Sequence, residues 1–327
     1  MPQLRQNIVT GEWVVIAPER AKRPTDYIVK RAVRTDAAAE CNFCIHGSAY
    51  LERLPSFETE RVYVIPNKYP AFLEDSKRCS SRSAQIENGF YTVRPSTGGH
   101  DVVIIKEHAI NLPEFTPEVW HDLNTMIQKR VEYFYTTCNV VSVMPIYNHR
   151  NEAGASILHP HAQIFASNVV PNTIGHELHG AKQYFEKNGA CVFCDLITHE
   201  RELSKRIVFE SETFIAFTFY AARFPFEIWL LPKGHSSRFE GIDGGKLAAF
   251  GEAMRQTLGA LDQTLDDPPL NYAIHTLPAS VESADHYHWH VEITPRLSTY
   301  GGFEIGSGMI IDVMSPEDAA KYLKDSN

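Results

Sequence analysis

Two long stretches of the chain place apolar residues at helical spacing. Residues 116–135, TPEVWHDLNTMIQKRVEYFY, open with Thr116 as an N-cap and Pro117 at the first helical position, and apolar side chains recur at Val119, Leu123, Met126, Ile127 and Val131. Residues 244–265, GGKLAAFGEAMRQTLGALDQTL, repeat leucine and alanine at similar spacing until DDPP stops the pattern. Each pattern predicts a helix.

Shorter stretches are rich in β-branched and aromatic residues, which predicts strands. They are HDVVIIK (100–106), HAQIFASNVV (161–170), FEIWLLP (226–232) and HWHVEITP (288–295). One predicted strand precedes each predicted helix and another follows it. The pattern therefore predicts an α+β fold, in which each half of the chain forms an antiparallel sheet with packed helices.

The same features occur twice in the same order, which indicates an internal repeat. Each copy contains a C-x-x-C pair, a strand that ends in histidine, a helix and a His-x-His segment. In the first copy these are CNFC (41–44), the strand ending at His108, and LHPHAQ (158–163); in the second they are CVFC (191–194), the strand ending at His235, and HYHWH (286–290). We expect two tandem halves, 1–175 and 176–327, with a loop around 171–190 as the boundary.

Length and charge narrow the class of protein. A chain of 327 residues exceeds what one core usually fills, which agrees with a doubled domain. A net charge of -9 argues against binding to a nucleic-acid backbone. The N-terminal residues carry no secretion signal, and no stretch approaches the roughly 18 apolar residues of a membrane span. We expect a cytoplasmic protein with no nucleic-acid or membrane partner.

The paired cysteines indicate metal sites. In a chain without a secretion signal, C-x-x-C favours metal binding over a disulfide, with a redox dithiol as the weaker alternative. Zinc takes four thiolate and imidazole ligands, and four protein ligands make a structural site. We predict about two zinc ions per chain, one held by Cys41, Cys44, His108 and His159 and the other by Cys191, Cys194, His235 and His288. His275 or His290 could replace ligands in the second set, and ordinary structural histidines remain the alternative for both.

One histidine of the first His-x-His segment is left over. If His159 binds metal, His161 lies two residues further on an extended strand and cannot easily bind the same ion. A neutral imidazole is a competent nucleophile toward phosphorus. Gln163 would project to the same side and could donate its amide to a phosphoryl oxygen. The alternative is that both residues are simply the polar side of a strand.

Several segments together resemble one enzyme family. HPHAQ after NHRNEAGASIL, together with ERAKRP, CNFC, VIPNKYPAF, GGHDVVI, PFEIWLLPKGHSS and GGFEIG, is similar to the galactose-1-phosphate uridylyltransferases, the nucleotidyltransferase branch of the histidine-triad superfamily. The resemblance implies two histidine-triad-like halves, a covalent nucleotidyl-His161 with Gln163 beside it, a ping-pong cycle and a homodimer. It also implies substrate contacts from Arg20, Arg23, Asn67, Asn148, Ser156, Gly302 and Phe303.

For the substrates, the resemblance makes transfer of a uridylyl group from UDP-glucose to galactose 1-phosphate the first expectation, and an ADP-sugar phosphorylase that uses phosphate as acceptor the alternative. Two segments depart from the family pattern. Arg150 stands where the family usually has glycine, so it could contact phosphate or point to solvent. The hexose-binding segment here has Gly302, Ser307 and Gly308 in place of lysine, tyrosine and glutamate. That segment and DDPPLNYAIHT are closer to the plant ADP-glucose phosphorylases, which use an adenylyl group and phosphate.

A non-catalytic, zinc-stabilised nucleotide-binding protein is the alternative to an enzyme.

The second copy differs from the first at the two positions assigned to chemistry: His290 takes the place of His161, and Glu292 takes the place of Gln163. Because a carboxylate repels phosphate, we expect the second copy to have kept its metal and lost its catalyst.

Overall fold

The computed structural model describes residues 1–20, 38–74, 85–87, 89–137, 139–281 and 284–325. In chain order the strands are β1 (Gln3–Gln6), β2 (Trp13–Ile16), β3 (Val62–Pro66), β4 (Gln85–Glu87), β5 (Tyr91–Val93), β6 (Gly98–Ile105), β7 (Ser142–His149), β8 (His161–Ser167), β9 (Ile207–Glu210), β10 (Phe214–Thr218), β11 (Ile228–Pro232), β12 (Leu270–His275), β13 (His290–Pro295) and β14 (Ile310–Asp312). The α-helices are α1 (Pro117–Thr136), α2 (Asn172–Asn188), α3 (Val192–Leu203), α4 (Gly244–Leu265), α5 (Gly302–Ser307) and α6 (Pro316–Asp325).

One antiparallel sheet of nine strands runs through both halves of the chain, in the order β3-β6-β8-β7-β12-β13-β11-β10-β9. The first half supplies the strands from β3 to β7 in this order and the second half those from β12 to β9. A smaller sheet, β1-β2-β14, joins the two chain ends, and β4 pairs with β5. The α+β prediction is confirmed, with the two predicted sheets fused into one.

The two halves meet where β7 pairs with β12. Tyr147 lies opposite Tyr272 in this register, and their rings stack with centroids 5.4 Å apart. Both rings belong to one buried core, which also contains apolar residues of α1 and α4. Because the core is continuous across the β7–β12 pair, neither half has a separate hydrophobic interior on this side of the sheet.

The alternation of side chains along the strands gives the sheet two different faces. One face packs against α1 and α4 and carries residues such as Tyr147, Ala162, Ile274 and Val291. The register places the polar residues of the His-x-His strands and their neighbours on the opposite face: Asn148, His161, Gln163, Asn271, His275, His290 and Glu292. We call this the polar face.

The helices and strands predicted from periodicity are confirmed. Thr116 caps α1 by accepting a hydrogen bond from the Val119 N–H at 3.4 Å, and Pro117 is the first helical residue. The helix predicted over 244–265 has those bounds, with Asp243 as its cap. The four predicted strands are β6, β8, β11 and β13.

The loop expected around 171–190 is wrong, because 172–188 form α2. Gly175 and Gly180 lower the intrinsic helix propensity of this stretch. Tertiary packing overrides that propensity: a Cβ at Gly180 would collide with the backbone oxygen of Val9, so glycine permits the close approach. The predicted boundary at 175/176 falls inside this helix and stays a prediction.

No helix in the described part of the chain combines the length and the hydropathy needed to cross a membrane.

Substitutions at Tyr272 test how much the β7–β12 pair contributes to the free energy of unfolding. Its hydroxyl is buried with no hydrogen-bond partner among the described residues, so Tyr272→Phe removes an unsatisfied polar group while keeping the ring stack. We expect Tyr272→Phe to leave the free energy of unfolding unchanged or raise it by about 1 kcal/mol. Tyr272→Ala should lower it by about 3–5 kcal/mol, because it leaves a cavity. Urea denaturation measures both, and a strongly destabilised Phe variant would contradict this view.

Candidate active site

Two cysteines and two histidines of the first half converge beside β6 and β8. Nδ1 of His108 lies 3.4 Å from the Cys44 sulfur, Nδ1 of His159 lies 3.5 Å from the Cys41 sulfur, and the two nitrogens are 3.1 Å apart. Zinc bonds of about 2.3 Å to sulfur and about 2.0 Å to nitrogen imply tetrahedral edges of about 3.3–3.8 Å. The donor set and its spacing therefore fit one tetrahedral metal ion.

The second half repeats this arrangement. Nδ1 of His235 lies 3.3 Å from the Cys194 sulfur, and Nδ1 of His288 lies 3.6 Å from it. The two imidazole rings have centroids 5.2 Å apart, as do the rings of His108 and His159. In each set the four ligand atoms lie within 4.8 Å of one another. The structure thus brings together both predicted ligand sets, and neither includes His275 or His290.

His161 is the first residue of β8, directly after the first ligand set. Its Nδ1–H donates to the backbone oxygen of His159 at 2.8 Å, which leaves the lone pair on Nε2. The residue is 6% exposed, and burial lowers its pKa below the usual histidine value against the opposing effect of the His159 carbonyl. Phe43, from the C-x-x-C turn, packs edge-to-face with the His161 ring, with ring centroids 5.3 Å apart. A buried, neutral imidazole with a defined tautomer suits a nucleophile.

Gln163 and Asn67 both contact one histidine of the polar face, His100 on β6. Oε1 of Gln163 lies 2.9 Å from Nε2 of His100, and Nδ2 of Asn67 lies 3.1 Å from the same atom. The backbone N–H of Ala71 donates to Nδ1 of His100 at 3.3 Å. The sequence pattern predicts only a strand at His100 and no chemical role for it.

Asn148 is held on the other side of His161 by a strand of the second half. Nδ2 of Asn271, on β12, donates to the Ala153 backbone oxygen and to Oδ1 of Asn148, both at 2.7 Å. Since a carbonyl only accepts, the Ala153 contact fixes which end of the Asn271 amide is nitrogen. Oδ1 of Asn148 is therefore occupied, and its NH₂ group is the end left to face a ligand.

Arg150 neither points to solvent nor presents its guanidinium freely to a phosphate. The guanidinium donates to the backbone oxygen of Asp267 at 2.7 Å and to the Glu152 carboxylate at 3.0 Å, and its side chain is 9% exposed. Its backbone has φ 71° and ψ 161°, a region that essentially only glycine adopts without strain. That conformation explains why glycine suits this position.

The other predicted substrate contacts lie further from His161 or outside the described structure. Ser156 is exposed in the loop that connects β7 to β8. Gly302 and Phe303 begin α5, which packs on β14 of the smaller sheet. Arg20 ends a 3-10 helix (Pro18–Arg20) and its side chain is not described, while Arg23 lies outside the described residues.

The polar face of the second half is closed. His290 is fully buried between Phe193 of α3, with ring centroids 5.0 Å apart, and Trp229 of β11, at 4.9 Å. Glu292 does not stand free to repel an anion, because Arg223 contacts it at 2.6 Å. The second copy has therefore lost access to its histidine as well as the amide beside it.

Glu177 of α2 completes this buried group. It carries no signal in the sequence, because it lies in the stretch expected to be a loop. Its carboxylate lies 2.9 Å from Nδ1 of His275 and accepts from the Tyr287 hydroxyl at 2.9 Å. Although burial opposes it, the charge of Glu177 helps to raise the pKa of His275 to about 8. Glu177, His275, His290 and Glu292 offer ligand atoms within 4.8 Å of one another, and they already pair among themselves and with Arg223.

The chain matches two family models. The model for the N-terminal domain of galactose-1-phosphate uridyl transferase matches residues 1–171, and the model for its C-terminal domain matches residues 177–324. An ADP-glucose phosphorylase of Arabidopsis thaliana is 36% identical over 99% of this chain and 93% of the relative. A galactose-1-phosphate uridylyltransferase of Thermotoga maritima is 27% identical over 100% of this chain and 99% of the relative.

Solved structures have the same fold over the whole chain. The crystal structure of an ADP-glucose phosphorylase from Arabidopsis thaliana with bound ADP-glucose has a TM-score of 0.83 at 34% identity and covers 100% of both chains. A uridylyltransferase structure has a TM-score of 0.76 at 25% identity, covering 100% of this chain and 98% of the other.

The strained backbone at Arg150 can be tested by two substitutions. Arg150→Gly and Arg150→Ala remove the same hydrogen bonds, but only glycine relieves the strain at φ 71°. We expect the Gly variant to be more stable than the Ala variant by about 1–2 kcal/mol in urea denaturation. At Glu152, inside a 3-10 turn, the order should reverse, with alanine the more stable. An Ala variant at position 150 at least as stable as the Gly variant would show that the strain is absent.

Proposed function

The chain belongs to the galactose-1-phosphate uridyl transferase family, whose members are nucleotidyltransferases, and we propose that its His161 carries the nucleotidyl group. In the first step the Nε2 lone pair attacks the α-phosphorus of a nucleotide sugar. The N–P bond forms as the P–O bond to the departing sugar phosphate breaks, and sugar 1-phosphate leaves. In the second step an oxygen of an acceptor phosphate attacks the same phosphorus and the N–P bond breaks.

The hydrogen bond from His161 to the His159 carbonyl is the observation that carries this proposal. It leaves the lone pair on Nε2, the atom on the opposite side of the ring, in a residue whose burial favours the neutral form. While Nε2 is bonded to phosphorus the ring carries positive charge, and the same carbonyl oxygen stabilises the Nδ1–H. The family relationship confirms the prediction of a nucleotidyltransferase; the role of His161 is the part that we propose.

For the substrates, we propose ADP-glucose as donor and inorganic phosphate as acceptor. The 36% identity to an ADP-glucose phosphorylase over almost the whole chain supports this pair, as do Gly302, Ser307 and Gly308 in the segment that follows β13. Glycine and serine at these places offer few hydrogen bonds for discriminating one hexose from another. Transfer of a uridylyl group from UDP-glucose to galactose 1-phosphate is the second candidate, and the 27% identity to a uridylyltransferase supports it.

We also propose that each Cys₂His₂ set binds a zinc ion. Four protein ligands leave no open position, so the ions would support the fold and hold the strand that presents His161. The Nε2–H of His159 donates to the backbone oxygen of Ile105, the kind of contact that orients a metal-bound imidazole. The proposal includes Asn67 and Asn148 as substrate contacts, and Arg20, Arg23, Ser156, Gly302 and Phe303 on the family resemblance. A cytoplasmic location and a homodimer belong to it as well.

Labelling tests the covalent step. Incubation with ADP-glucose labelled at the α-phosphate should give an acid-labile label on the protein, which added phosphate discharges as ADP. Label from UDP-glucose, discharged by galactose 1-phosphate as UDP-galactose, would instead favour the second candidate. His161→Ala should abolish the label, because no other group on the open part of the polar face offers a free imidazole lone pair among the described residues.

The repeat supplies the matched control. His290→Asn alters the equivalent position of the second copy and should keep the label, because His290 is enclosed by Phe193 and Trp229. If nucleotide binds to the folded protein and neither nucleotide sugar labels it, the chain is a binding protein and this proposal is wrong.

Metal content tests the two Cys₂His₂ sets separately. Elemental analysis should find about two zinc ions per chain, and Cys44→Ser and Cys194→Ser should each remove about one. Chelation should lower the melting temperature, because structural zinc contributes to folding directly. Freshly purified protein without zinc would contradict the metal proposal. A single variant that loses both ions while it remains folded would contradict the independence of the two sites.

A further inference from the structure

We propose that His100 is a positioning residue that fixes the amide orientation of Gln163, so that the NH₂ group of Gln163 faces the phosphoryl group carried by His161. This inference rests on the proposed nucleotidyl transfer. It concerns a side chain outside the metal ligand sets, on the strand next to the one that carries His161.

The tautomer of His100 follows from a backbone contact. A backbone N–H can only donate, so the Ala71 N–H makes Nδ1 of His100 an acceptor and places the ring proton on Nε2. Burial lowers the pKa of His100 against the opposing effect of Gln163, which keeps the ring neutral and Nδ1 unprotonated. The Nε2–H then needs an oxygen, and the Gln163 amide lies 2.9 Å away.

That proton determines which way the Gln163 amide points. With Oε1 accepting from His100, the amide nitrogen must lie on the other side of the group, toward open space on the polar face. The opposite orientation would bring two N–H groups together at His100 and turn a carbonyl oxygen toward the anion. Asn67 does bring its amide nitrogen within 3.1 Å of the same Nε2, but the Tyr69 N–H, which donates to its Oδ1, fixes that orientation. The Asn67 NH₂ group finds no acceptor on His100 and is left to donate to a ligand.

Packing makes His100 rigid enough for this role. Its ring stacks on Phe165 with centroids 4.0 Å apart and an interplanar angle of 28°, and Phe165 is its partner across the β6–β8 ladder. The next pair on the same face of the ladder is Val102 and Gln163, so His100 and Gln163 are diagonal neighbours. Stack and backbone contact together hold the imidazole in a single position.

The repeat supports the pairing of these two positions. His100 precedes the ligand His108 by eight residues, and Glu227 precedes His235 by the same interval. Thus His100 and Gln163 correspond to Glu227 and Glu292 in the copy whose histidine is enclosed. There Arg223 bridges the two carboxylates, at 3.1 Å from Glu227 and 2.6 Å from Glu292. Both positions differ together between the copies, as expected if their side chains work as a pair.

The test measures the rate of label transfer from α-labelled ADP-glucose to the protein at saturating donor. His100→Phe keeps the stack on Phe165 and removes both ring nitrogens, and it should slow the transfer about 10-fold to 100-fold, less than the 10²–10³ that loss of a positioned donor itself costs. His100→Gln places an amide donor near the lost Nε2–H and should recover most of the rate. In a Gln163→Ala background His100→Phe should slow transfer by less than about twofold, because no amide remains to orient.

Each outcome decides the inference. Wild-type protein that takes no label overturns the proposed function and this inference with it. Wild-type labelling together with a His100→Phe rate within about twofold of wild type overturns the inference alone. A His100→Gln variant that transfers label as slowly as the Phe variant also overturns the inference. So does a double variant in which the rate losses of His100→Phe and Gln163→Ala multiply, since either result indicates only a structural role for His100. Thermal melts of all variants establish that each is folded.

Discussion

The antiparallel pairing of β7 with β12 determines where every other feature of this protein can lie. Because side chains alternate along a strand, the register that places Tyr147 opposite Tyr272 assigns every neighbouring residue to one of two faces. A slip of β12 by one residue relative to β7 would turn Tyr272 away from α1 and α4 and bring Asn271 into the core. Burial of the stacked rings on one side thus holds the polar groups on the other.

The segment that follows each C-x-x-C pair accounts for the different surroundings of the two His-x-His segments. Each copy carries a phenylalanine from its C-x-x-C turn against the second histidine of its His-x-His segment, Phe43 at His161 and Phe193 at His290. After the first C-x-x-C pair the chain forms a short 3-10 helix (Ser48–Glu52), whereas α3 begins inside the second pair. α3, with α2 beside it, encloses His290 among the described residues, so His290 is fully buried while His161 keeps a small exposed fraction.

Sequence reasoning found the features that depend on sparse residue types at fixed intervals. The grouping of two cysteines and two histidines in each half was predicted because cysteine pairs and histidines mark the same places in each repeat. α1 and α4 were predicted from their caps and apolar spacing. The missed features depend on contacts between distant segments: Glu177 meets His275 only through the packing of α2, and Arg150 turns inward only because Asp267 lies beside it. The role of His100 could not be predicted, because a single histidine within a strand pattern has no sequence motif that indicates a function.

The open polar face combines these constraints into a site suited to an anion. Two amides flank His161, and each has its oxygen occupied by a donor from the protein: Asn148 by Nδ2 of Asn271, and Gln163 by Nε2 of His100. Each orientation is set in turn by a backbone group, the Ala153 carbonyl in one case and the Ala71 N–H in the other. A phosphoryl group accepts hydrogen bonds and offers none when ionised, so it is stabilised by N–H groups and repelled by amide oxygens. Since Asn271 comes from the second half, the half with an enclosed histidine still helps to orient the donors of the first.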